Sequence, residues 1–294
     1  RSTPLVDQLG NTLDGVQATG VAEQQLRIAV PLSKPSLARL QANLKLDGND
    51  LQWAPHLPRL SKLRGNLIYS ESGVLANGVR LRVLGSDAKL DGGLRFNDSL
   101  TDGPTRLILQ GGVSAEALQQ APELGSLASV AGLLRGSTSY VASLGLRNGQ
   151  VEYALSSNLQ GMALELPEPL NKPAAAAWPL RVDSQLLRSA GKSAPLEQLS
   201  FTMGSVLSVK YVRDVSAAST QVLGGLLQLG TVVESKDQPD KMVLAQIRHP
   251  KFNVDEWQQA LSPWTDAEPE KGGAPRQVLA VHAPSRIELN TPEL

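Results

Sequence analysis

Histidine is the side chain most often found at a metal or a proton relay, and this chain has three: His56, His249 and His282. A metal site usually shows a local pair such as H-x-E or H-x3-H, which brings two donors to one ion. These three lie far apart, and His56 and His249 adjoin prolines in turn-like stretches, so they read as solvated loop histidines. Cysteine is absent, which removes zinc fingers, iron–sulfur sites, CxxC redox motifs and thiol nucleophiles together. No G-x-S-x-G elbow holds a serine, and Gly136-Ser137-Thr138-Ser139 opens a strand pattern in which small residues serve the entry. Gly224-Gly225 lacks the lysine and helix of a phosphate loop, and Asp237 and Asp240 alternate with Lys236 and Lys241 in a charged turn. Trp53, Trp178, Trp257 and Trp264 stand at strand ends or helix faces, where a ring anchors a core. The chemistry-bearing residues therefore assemble into no catalytic set. The expectation is a protein without enzymatic activity, metal or cofactor.

The elements must then carry the function themselves. The 294 residues contain 28 Lys+Arg against 28 Asp+Glu, and this neutrality argues against a nucleic-acid partner. Such a length buries a large core without disulfides. Its apolar complement is skewed, with 49 leucines against 11 aromatic residues. No apolar run approaches the ~20 residues of a membrane-spanning helix. The chain opens on Arg1-Ser2-Thr3-Pro4 and closes on alternating Ile287-Glu288-Leu289-Asn290, and it reads as an internal segment of a longer protein.

Period-two alternation dominates. It runs through Leu40–Leu46, Val79–Val83, Ala88–Asp91 with Leu94–Phe96, Thr105–Gln110, Val151–Ser156, Leu180–Asp183 and Leu207–Tyr211, with Gly, Asn and Asp between. One apolar and one polar face per strand, separated by turns, predicts an antiparallel meander. Leu63-Arg64-Gly65 and Leu134-Arg135-Gly136 are echoes, each followed by a further alternating stretch, Val74–Val83 and Leu144–Leu155. Three stretches have helical spacing: residues 4–18, Ser114–Gln120 with a serine cap, and Asp255–Leu261 with an aspartate cap, ending before Pro263. Residues 1–262 form the main segment with an approximate repeat break near 114–136, 263–276 a flexible linker, and 277–294 the start of a further strand or repeat. The fold class is mainly β: a long, strongly curved antiparallel sheet forming a groove with a few short helices. A trough lined by Leu, Val and Ala suits the composition better than an aromatic-girdled membrane barrel.

One stretch is more specific. Ser157-Asn158-Leu159-Gln160-Gly161-Met162-Ala163-Leu164-Glu165-Leu166-Pro167-Glu168-Pro169-Leu170-Asn171-Lys172-Pro173, followed by Trp178-Pro179-Leu180, resembles a characteristic segment of the YhdP family of AsmA-like envelope proteins. Leu63-Arg64-Gly65, Gly112–Leu118, Leu134–Tyr140 and Asn253-Val254-Asp255-Glu256-Trp257 follow that family's order. The resemblance runs over most of 1–262 and skips 263–276. It implies repeating β-groove units in the periplasm, held to the inner membrane by an anchor outside this segment. It also implies phospholipids as cargo on the way to the outer membrane, with outer-membrane or periplasmic proteins as further partners.

Exposing one lipid CH2 to water costs about 0.8 kcal/mol, so a carrier must cover the chain with apolar surface. The apolar phase of each strand then nominates the lining: Leu44, Leu46, Leu81, Val83, Leu90, Leu107, Leu109, Leu144, Leu155, Val182 and Val209. The same alternation would also fill a closed core. A structural scaffold that pairs client strands at its sheet edge is the alternative from another class.

Overall fold

The computed structural model describes residues 16–33, 39–52, 57–70, 72–95, 106–124, 128, 130–147, 150–187, 196–215, 221–233, 242–265 and 284–291. Its strands are β1 (Gln17–Thr19), β2 (Ala22–Ala29), β3 (Arg39–Gln52), β4 (Leu60–Ser70), β5 (Gly73–Val83), β6 (Ser86–Arg95), β7 (Arg106–Ser114) and β8 (Leu134–Arg147). They continue as β9 (Gln150–Ser157), β10 (Met162–Leu164), β11 (Leu180–Leu187), β12 (Leu196–Met203), β13 (Leu207–Asp214), β14 (Gln221–Gly230), β15 (Val243–Arg248) and β16 (Arg286–Asn290). Among the described residues, the α-helices that interrupt them and have a full range are α1 (Ala115–Gln119) and α2 (Val254–Thr265). Hydrogen bonds join the strands into one unclosed mixed sheet in nearly sequential order, with β1 and β2 both on β3 and β10 on β8. Two compact units divide the chain, one holding residues 1–113 and 140–153, the other 114–139 and 154–294.

In the first unit, β2 to β7 are antiparallel neighbours in chain order. The ladder slips where β3 passes Asp47-Gly48-Asn49, where β4 passes Lys62 and where β5 passes Asn77-Gly78. Each slip is a bulge that bends its strand and resets which residues face which side. Asp47-Gly48 is therefore a bulge inside β3 and not the turn the sequence pattern suggested. Leu63, Leu81, Val83 and Ala88 form a buried cluster, with Leu46, Leu51, Leu60, Leu90 and Leu109 packed against it.

The second unit continues antiparallel through β11, β12, β13 and β14. The last two pairings, β14 with β15 and β15 with β16, are parallel, which corrects the all-antiparallel expectation. Parallel neighbours need a crossover, and α2 lies in the chain between β15 and β16. The stretch 158–178, the most distinctive in the sequence, adds only the short β10 to the sheet, at β8, and otherwise lies off the strand path. Leu164 and Leu170 from it form a buried cluster with Met203, Leu229 and Phe252, and Trp178 and Trp257 pack against that cluster. Trp257 Nε1 donates to the Glu168 carbonyl at 3.0 Å, and its ring stacks on Phe252 at 5.8 Å. These two tryptophans are core anchors, as expected; Trp53 and the Trp264 side chain lie outside the described residues.

Lys172 holds that stretch together. Its side chain is 1% exposed, and Nζ donates to the carbonyls of Met162 at 2.7 Å, Leu159 at 2.8 Å and Pro173 at 3.1 Å. Burial holds the ammonium below the ordinary lysine value.

The helices refine the sequence reading. Ser114 Oγ accepts from the Ala117 N–H at 3.1 Å, the expected cap of α1. At α2 the cap is Asn253, not Asp255: its Oδ1 accepts from the N–H groups of Asp255 and Glu256, and its Nδ2 donates to Glu256 Oε1. The helix also runs past Pro263 to Thr265. A proline has no N–H for the carbonyl four residues back, and here Ser262 Oγ donates to that Gln259 carbonyl at 2.9 Å. Of the stretch 4–18, residues 1–15 lie outside the described residues, and Gln17 and Ala18 are in β1, not a helix.

Candidate functional site: an apolar sheet face

Residues directly opposite one another in a ladder share a face of the sheet. In the first unit this rule assembles a row: Leu44, Leu67, Ala76, Gly92 and Leu107, one from each of β3 to β7. Five strands at about 4.8 Å spacing make the row about 19 Å long. On the same face, Leu90 pairs with Leu109, Leu46 pairs with Gly65, and Leu81 pairs with Ala88. The opposite face carries Asp47, Arg64, Arg80, Lys89 and Gln110 in one cross-strand row. Ion pairs Arg64–Asp47 at 3.6 Å and Lys89–Asp91 at 2.7 Å lie on that polar side. Asp91 also accepts from the Gly78 N–H at 2.7 Å, and the Lys89 bond and this one hold its carboxyl below the ordinary value.

The nominated residues of this unit differ in surroundings. Leu81 and Val83 are 3% and 5% exposed inside the buried cluster, and Leu46, Leu90 and Leu109 pack against it. Leu44, Leu107 and Leu144 are half-buried and stand outside the cluster. Between Leu67 and Leu107 the row holds the small residues Ala76 and Gly92, so these two leucines flank the low part of the row. Gly92 is dictated by the neighbouring strand: a Cβ there would lie 2.2 Å from the Arg106 carbonyl. Over Gly111, beside this row, the Tyr140 hydroxyl closes in to 3.1 Å of where a Cβ would stand, and burial raises its phenol above the ordinary value.

The second unit repeats the device. Leu155, Val182, Phe201, Val209, Leu227, Ala245 and Ile287 form one cross-strand row over β9 and β11 to β16. All three residues nominated in this unit, Leu155, Val182 and Val209, are in it and half-buried. The stretch 158–178 and α2 cover the face on one side of that row, through the cluster that Phe201 and Leu227 touch. On the other side the face turns polar. Ser184 Oγ donates to Glu197 Oε1, and Arg213 donates from Nε at 3.0 Å and from Nη2 to Glu197 Oε2. Glu197 and Ser184 are buried, so the carboxylate is held by charge-assisted bonds.

A model of the YhdP family, described as YhdP protein, matches residues 1–294. The chain belongs to the YhdP family. The match includes residues 263–276, which the sequence resemblance skipped. No curated protein and no solved structure matches the chain. Among the described residues of this YhdP segment, no helix is long and apolar enough to cross a membrane, and no cluster of His, Asp or Glu has the makings of a metal site. His249 lies in a turn, its Nδ1 at 2.5 Å from the Lys251 carbonyl, while His56 and His282 lie outside the described residues. Gly224-Gly225 is inside β14, where the Tyr211 ring lies against Gly225.

The sequence pattern did not nominate Leu67, Ala76, Phe201 or Leu227 of the YhdP face. In β4 the bulge near Lys62 breaks the alternation that Leu60, Leu63 and Leu67 would otherwise show. Phe201 carries an ordinary alternating signal in Leu199–Met203 that was open to reading. Leu227 sits in a run of apolar and glycine residues, the pattern of a strand with a parallel neighbour.

Proposed function

We propose that this segment is part of a lipid-transfer conduit, in which the apolar sheet face covers the acyl chains of phospholipids during passage between the inner and outer membranes. The observation that carries the reading is the Leu44–Leu67–Ala76–Gly92–Leu107 row, apolar across five strands, with the charged residues confined to the opposite face. Membership of the YhdP family is consistent with it, since the AsmA-like resemblance of the sequence implies an envelope protein with phospholipid as cargo. An apolar row without a closing polar contact holds a chain by burial alone, at about 25 cal/mol per Å². Burial is non-directional, so a chain slides along such a row without a position that traps it. The protein would work in the periplasm, with its inner-membrane anchor outside these residues, and would use no cofactor.

The test is the lipid that the purified chain carries. Native mass spectrometry of the 294-residue chain should detect co-purified phospholipid, and Leu107→Asp should remove it while Arg80→Asp on the opposite face should not. Equal lipid loads in the two variants, with both folded, would overturn the reading.

A further inference from the structure

The first unit has a cavity of about 580 Å³ that does not lie on the acyl-chain row. Ladder registers place most of its wall on the other, polar face, at the ends of β2 to β6, where Ile28, Leu40, Val74 and Leu94 of the apolar phase also border it. Arg27, Gln41, Ser70, Gly73 and Arg95 make one cross-strand row of its wall. Ile68, Leu75 and Gly93 make the next row. Both rows are out of phase with Ala42, Tyr69, Val74 and Leu94, which belong to the apolar face. The hollow has a sequence cause. Gly93 brings no side chain to a position beside Leu75, while guanidinium-bearing side chains stand around it.

The chemistry is that of an amphiphile's polar end. Ile68 and Leu75 give an apolar floor on the polar face, and Leu75 is 37% exposed. Arg27, Arg39 and Arg95 line the cavity, and no Asp or Glu does so among the described residues. Among the described residues, Arg27 and Arg39 form no ion pair. Guanidinium groups offer paired N–H donors matched to phosphate oxygens, and the volume lies within the range of small-molecule sites. We propose that this cavity binds the phosphate-bearing head group of an anionic phospholipid, with the glycerol and first methylenes on Ile68 and Leu75. The choice of a phospholipid rests on the lipid reading above; the site itself is separate from the acyl-chain row.

Dihexanoyl phosphatidylglycerol and dihexanoyl phosphatidylcholine, each below its micelle concentration, and inorganic phosphate, titrated into the whole chain and followed by calorimetry, test this. Phosphatidylglycerol should bind at least ten-fold more tightly than either of the other two. Arg27→Gln with Arg39→Gln should lower its affinity ten-fold or more and erase the preference over phosphatidylcholine. Arg27→Lys with Arg39→Lys, which keeps the charge and the fold, should fall between. Leu107→Asp should leave this titration unchanged while removing co-purified lipid, so the two readings fail separately. Equal binding of the two lipids, inorganic phosphate as tight as phosphatidylglycerol, or unchanged affinity in the glutamine variant would each overturn the proposal.

Discussion

Leu81→Ala and Leu107→Asp should have opposite signatures, although both leucines belong to one face of one sheet. Leu81 is 3% exposed and packs with Leu63, Val83 and Ala88, so truncation removes buried methylenes and leaves a void. Such a change costs about 3 kcal/mol. Leu107 is half-buried beside Gly92, outside that cluster. Its loss gives up about 1 kcal/mol of burial, and a carboxylate there stays hydrated on the open side. For a bound acyl chain the order reverses. Pressing hydrocarbon on a carboxylate strips its water at a cost of about 3 kcal/mol, a hundred-fold loss of bound lipid. Urea unfolding followed by circular dichroism reads the first effect, and lipid content per chain by mass spectrometry reads the second. Leu81→Ala should lose stability and keep lipid in its folded fraction; Leu107→Asp should keep stability and lose lipid. If Leu107→Asp unfolds the protein as severely as Leu81→Ala, the open row is ordinary core and the reasoning fails.

Other perturbations probe the second unit. Gly225→Ala places a Cβ 2.4 Å from Tyr211 Cδ1 and should cost about 2 kcal/mol, with Tyr211→Ala relieving part of it in a double-mutant cycle read by denaturation. Glu197→Leu alone strands the Arg213 guanidinium and should cost about 3 kcal/mol, whereas Glu197→Leu with Arg213→Met should recover most of it by thermal melting. Asn253→Ala removes the α2 cap and should cost about 1 kcal/mol, seen as faster amide exchange in the first turn. For Lys172 the folded state binds its proton less tightly than the unfolded chain, because burial lowers its value from 10.5. Between the lowered value and 10.5 the unfolded state therefore holds more protons, and stability should rise with pH across that window and fall as pH drops through it. Lys172→Met should abolish this rise in pH-dependent unfolding.

Much of this was legible before any coordinates because period-two alternation is a strand's own signature: β3, β5, β6, β7, β9, β11 and β13 each contain a segment it marks. Ten of the eleven nominated lining residues lie on those strands at positions of the apolar phase, and Leu144 lies on β8. What alternation could not carry were the bulges. Gly48, Lys62 and Gly78 each shift the phase by one, and only the partner strand fixes where the slip occurs. The echo Leu-Arg-Gly has a physical meaning that sequence left open: Gly65 and Gly136 both take positive φ, at 137° and 89°. A Cβ at Gly136 would lie 2.3 Å from the Gly161 carbonyl, and one at Gly65 would lie 3.1 Å from Val79 Cα. The parallel pairing of β14 to β16 depends on long-range crossovers, and the cavity beside Gly93 depends on residues from five strands. Neither has a local signal.

The most direct test of the lipid conduit is a photo-crosslinking amino acid placed in turn at Leu107, Leu144 and Arg106, followed by detection of phospholipid adducts. Leu107 and Leu144 belong to the apolar phase of β7 and β8, while Arg106 is exposed and pairs with Glu152 at 3.6 Å. Phospholipid adducts at the two leucine positions and none at Arg106 are the predicted result. Adducts to protein alone, or the same lipid yield at all three positions, would contradict it.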